Sequence, residues 1–183
     1  MVDMRLPGRP GIDFVSLSGI NDYGVVVGTW VGGGGPFKWT KEEGLTTLDL
    51  LGGRSGEATA INNLGEIVGF VFDGNELFGV KWTACGASRL ARLPNRVPQD
   101  AFHGLETTAR AINDRGVVVG NDSTNGQFVA IQWESTKRVA PLPLGAISSS
   151  ASDVNDCGYV VGIFEPAPNV SHPYLWQPAR AAQ

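Results

Sequence analysis

One nine-residue phrase returns four times along the chain, and it limits the fold more than any other feature. It reads INDYGVVVG at Ile20 to Gly28, INNLGEIVG at Ile61 to Gly69, INDRGVVVG at Ile112 to Gly120 and VNDCGYVVG at Val154 to Gly162. The start positions are 41, 51 and 42 residues apart, so only the interval after the second copy is stretched. A unit of roughly 40 to 50 residues that cannot bury its apolar face alone must stack on its neighbours.

Each phrase predicts a β-hairpin. Asn21 and Asp22 followed by Gly24 suit a type I turn that ends in a left-handed residue. Apolar residues on both sides, Leu17 to Ile20 and Val25 to Val27, predict two paired strands. A third strand then ends on tryptophan in every copy, at Trp39, Trp82, Trp133 and Trp176. A tryptophan recurring once per unit is expected to pack one sheet on the next.

A fourth, leucine-rich strand is expected at Thr46 to Gly52, Ser88 to Pro94 and Lys137 to Pro143. Copy four lacks it after Trp176, whereas VDMRLPG at Val2 to Gly8 resembles it and precedes the first hairpin. This offset predicts an all-β, four-bladed β-propeller closed by the N-terminal strand completing the last blade. The whole of residues 1–183 is expected to form one repeat domain, with units at about 14–53, 54–94, 105–144 and 148–176 plus the strand 2–8. Small residues on the innermost strands, Ala58, Ala109 and Ala151 among them, let these strands converge. Arg110 and Asp153 are the charged exceptions there and are expected at the channel mouth.

The net charge of −4 and pI near 5.1 offer no basic footprint for nucleic acid or anionic lipid. No apolar run is long enough to span a bilayer as a helix. The opening MVDMRLPGRPG lacks the apolar segment of a secretory signal. Cys85 and Cys157 fall at non-equivalent positions and read as free thiols.

The stretches ATAINNLGEIVG, ARAINDRGVVVG and ASDVNDCGYVVG, with LSGINDYGVVVG as a looser start, resemble the bacterial HAF repeat family over about residues 14 to 176. The resemblance implies an extracellular or periplasmic repeat protein of propeller-like form, and it carries no catalytic residue onto this chain. Of the residues that name the family only His172 is kept, followed here by proline and tyrosine.

Residues that break the repeat are the candidates for function. The stretched connection Asn95 to Thr108 brings together Asp100, His103 and Glu106, which could serve an acid-base role. Trp30 offers an aromatic rim, and with Arg110, Asp153 and His172 it forms the candidate binding set. The recurring Asn and Asp residues are read as turn formers, so neither a metal nor a cofactor is expected. Two functions follow. The first is a non-enzymatic binding module offering its loops and channel to a small molecule, glycan or protein. The second is a small propeller enzyme, a hydrolase, lyase or cyclase, using the loop 95–108. Closure within one chain predicts a monomer, and a half-ring that dimerises into eight blades is the alternative.

Overall fold

The computed structural model describes residues 15–30, 35–94, 106–124, 127–143 and 145–178. These residues form fifteen strands and no helix. The first unit is an antiparallel meander of β1 (Val15–Ile20), β2 (Val26–Trp30), β3 (Gly35–Thr40) and β4 (Gly44–Thr47). The second repeats it with β5 (Ser55–Ile61), β6 (Ile67–Phe72), β7 (Leu77–Thr83) and β8 (Gly86–Arg89). The third has β9 (Glu106–Ile112), β10 (Val118–Thr124), β11 (Gln127–Ser135) and β12 (Arg138–Pro141). A single parallel bridge, Leu77 to Glu106, joins the second and third units into one eight-stranded sheet. The fourth has three strands, β13 (Ser148–Val154), β14 (Val160–Ala167) and β15 (Val170–Trp176), in keeping with the missing outer strand.

The phrase folds as its residues require. In each copy the asparagine Oδ1 accepts backbone N–H bonds across the turn; Asn62, for example, takes those of Leu64 and Glu66 at 3.1 and 2.9 Å. The following glycine, Gly24, Gly65, Gly116 or Gly158, sits at φ 74° to 83°, where a side chain would be strained. The glycine that closes the phrase answers a different demand. A Cβ on Gly28, Gly69, Gly120 or Gly162 would collide with the carbonyl oxygen of Ser16, Glu57, Thr108 or Ser150 on the neighbouring strand. That close approach coincides with a β-bulge, because the register of every first hairpin skips one residue, respectively Ser18, Thr59, Arg110 and Ser152.

Sheets stack in chain order, so strands in the middle of the stack are buried on both faces. Val27 of the first sheet packs with Ala58, Val71 and Trp82 of the second, and Val68 of the second with Ala109, Ile112 and Trp133 of the third. Val119 of the third meets Ala151, Val154 and Val160 of the fourth. Trp82 and Trp133 bridge sheets as expected: Nε1 of Trp82 donates to the Asp49 carbonyl and that of Trp133 to the Ala91 carbonyl, each at 2.7 Å.

The fourth strands depart from expectation. All three stop sooner, β4 and β8 also begin two residues earlier while β12 lies within its expected span, and the leucines leave the sheet after one more ladder bond, as in Leu90 N–H to the Gly79 carbonyl at 2.9 Å. Leu48, Leu50, Leu90, Leu93 and Leu142 instead plug the seams between sheets, because a buried seam holds a branched side chain better than an outer edge does. No ladder joins the first sheet to the fourth among the described residues. The expected closing strand, residues 2–8, lies outside them.

Candidate functional site

Skipping one residue in the innermost hairpin of each sheet turns that residue away from the sheet faces, and the four skipped residues come together. Ser18, Thr59, Arg110 and Ser152 line one groove of about 390 Å³ with Asn121, Ser150 and Ala151. All four units contribute, so the groove marks where the inner strands converge. Its chemistry is lopsided. Among the described residues the lining holds hydroxyls, an amide and a guanidinium, and no carboxylate.

Two of these groups are fixed by their surroundings. The Thr59 hydroxyl lies 2.9 Å from the Ala109 carbonyl and 3.1 Å from that of Val68, stitching the second inner strand to the third. Asn121 is buried, and its Oδ1 accepts the Ala151 N–H at 3.0 Å, which leaves the amide NH₂ as the group it can offer. Arg110 is exposed and has no hydrogen-bond or ion-pair partner among the described residues. A guanidinium presents five donors in a planar fork suited to carboxylate or phosphate oxygens. Tyr174 stands behind the groove, donating to the Ser150 carbonyl at 3.2 Å, and burial raises its phenol to about 12.

The other sequence candidates do not join this groove. Asp153 is exposed on the outer face of the fourth sheet, where its Oδ1 accepts the Val154 N–H at 2.8 Å. His172 is exposed on β15 with its ring 5.8 Å from that of Phe164. Trp30 ends β2, half-buried. Glu106 opens β9, four residues from Arg110 and so about 13 Å away along an extended strand. Asp100 and His103 lie outside the described residues. Cys85 and Cys157 are exposed and unpaired.

The serines, Thr59 and Asn121 escaped notice in the sequence because hydroxyl and amide residues are common beside turns. The signal that could have found them is their equivalence, since all but Asn121 and Ser150 hold the variable position two residues before the repeated phrase. The recurring Asn and Asp residues do more than form turns. Asn Nδ2 of each of the first three sheets donates to the matching carbonyl of the next, Asn21 to Asn62, Asn62 to Asn113 and Asn113 to Asn155, at 3.2, 3.0 and 2.9 Å. A parallel ladder runs from the N–H of Asp22 to Asn63, of Asn63 to Asp114 and of Asp114 to Asp156.

Neither the family models nor the curated proteins include a match to this chain. Among solved structures it is similar to one titled "Streptogramin B lyase structure", at 11% identity and a TM-score of 0.47, over 89% of this chain and 55% of that one, so this chain spans about half its length.

Proposed function

We propose that this protein is a non-enzymatic binding module whose convergent groove captures an anionic small molecule, most simply a carboxylate on an organic acid or an acidic sugar. The observation that carries the reading is the Arg110 guanidinium, which has no partner among the described residues and is set among Ser18, Ser152 and the Asn121 amide with no acid among the described lining residues. In a chain of net charge −4 this donor-rich patch runs against the general surface, which favours an anion at this point over others. Pockets that fix a small ligand do so with a few convergent polar groups of this kind. The extracellular or periplasmic setting implied by the repeat resemblance suits solute capture.

Calorimetric titration with malonate, citrate, galacturonate and inorganic phosphate tests the proposal. At least one carboxylate is expected to bind, with affinity falling tenfold or more in Arg110→Ala and retained in His103→Ala and Asp100→Ala. Heat unaffected by Arg110→Ala, or no binding at millimolar concentration, overturns it. The enzyme reading would gain instead if turnover of any ester or glycoside probe depended on His103.

A further inference from the structure

The three junctions between sheets are copies of one interface, and among the described residues nothing covers the matching half of that interface at each end of the stack. Val27, Val68 and Val119 point into the following sheet and are 0% exposed. Val161 holds the same place in the fourth sheet and is 43% exposed, flanked by Ile163 and Leu175 at 48% and 59%. At the other end, Leu17 and Ile20 are 52% and 68% exposed. Their equivalents face the preceding sheet: Ala58, Ala109 and Ala151 for Leu17, none above 1%, and Ile61, Ile112 and Val154 for Ile20, the first half-buried and the other two at 7%. Leu17, Ile20, Tyr23, Val26 and Trp39 line an open apolar groove of about 720 Å³ on this face.

The polar ladder is interrupted at the same two places. Asn21, Asn62 and Asn113 are buried, while Asn155 is exposed and its Nδ2 has no acceptor among the described residues. The Asn62, Asn113 and Asn155 carbonyls each receive an amide from the previous sheet. Among the described residues the Asn21 carbonyl accepts only the Gly24 N–H of its own turn. A donor row therefore stands open on the fourth sheet, and the matching acceptor row on the first.

We propose that a second copy of this chain covers these faces head to tail, the fourth sheet of one protomer packing on the first sheet of its partner. Val161 then enters the groove of Leu17, Ile20 and Trp39, and Asn155 Nδ2 donates to the Asn21 carbonyl. Two copies make the contact twice about a twofold axis, bringing eight sheets around one centre. A second copy fits better than an unlike partner because each open face repeats, in residue type and in hydrogen-bond direction, a half already paired three times within the chain. Apolar faces of this kind on a soluble protein mark contact surfaces. One residue works against the contact: Asp153 puts a carboxylate where the other sheets have Gly19, Ala60 and Ala111.

Sedimentation equilibrium at tens of micromolar tests the arrangement. The expected mass is twice the 19.4 kDa of the chain. Val161→Glu and Ile20→Glu, at exposed positions on opposite faces, are each expected to give a monomer with an unchanged β-sheet circular dichroism spectrum. Mixing the two variants is expected to restore a one-to-one pair, because the mixture keeps one intact face of each kind. A monomeric wild-type chain overturns the proposal, and so does a dimer indifferent to both substitutions. Failure of the mixture to associate also overturns it, since that outcome belongs to a dimer in which like faces meet.

Discussion

The middle sheets and the end sheets are built from the same phrase, yet only the middle ones keep it buried. Val68 and Val119 are wholly shielded and Val161, at the same position of the phrase, is 43% exposed. Trp82 and Trp133 are buried and bonded to the sheet before them, whereas Trp39, with no sheet before it among the described residues, is only half-buried. The difference teaches that stability in this molecule belongs to the seams. A hairpin contributes little until another sheet removes its faces from water, as expected for a stack whose terms are nearest-neighbour interfaces.

The comparison can be broken by equivalent substitutions made in the Ile20→Glu background, where the end faces stay open. The largest contrast is expected at tryptophan: Trp133→Ala should lower unfolding free energy by about 3–5 kcal/mol, and Trp39→Ala by about 1 kcal/mol. Equal losses in urea denaturation would show that the seams do not dominate. Next comes the ladder. Asn62→Ala removes two turn bonds and the inter-sheet donor and should cost about 2–3 kcal/mol, against about 1 kcal/mol for Asn155→Ala, whose donor is idle. Val68→Ala should cost about 1.6 kcal/mol, and Val161→Ala no more than about 0.5 kcal/mol.

The smallest effect sharpens the view of the fourth sheet. Burial raises the Tyr174 phenol from 10.0 to about 12, so the folded state holds this proton more tightly than the unfolded chain does. The resulting stability is complete below pH 10 and declines as pH rises from 10 towards 12. Ultraviolet titration should show a late phenolate step that Tyr174→Phe removes together with that decline. On the acid side the sign reverses for Asp73. Backbone N–H bonds from Asn75 and Glu76, with the Arg89 guanidinium, hold its carboxyl below the usual range, and their support is full above the ordinary value of 3.8 and fades as pH falls from there through the lowered one.

The hairpins were legible in the residues because each depends on local chemistry, an Asx turn and a glycine that must take a positive φ. The stacking tryptophans were legible because one per unit recurs. The outer strands of the first two units were misplaced for an equally physical reason. An alternating leucine pattern reads the same whether it lies on a sheet edge or plugs a seam, and only the neighbouring sheet, by offering Leu48, Leu90 and Leu142 a buried slot, decides between them. Of the candidate site, Arg110 was visible as a charge where the inner strands should be small. Its partners Ser18, Thr59 and Ser152 were not, because a bulge is a property of two strands in register.

The chain by itself therefore determined the unit: its turns, its strand order within a sheet and its repetition, all set by contacts within a few dozen residues. Which valines are dry, where the leucines go and which polar side chains share a groove were settled only when the sheets met. Those outcomes depend on the surface a residue faces, and in a repeat that surface is supplied by the next copy or, at the two ends, left open.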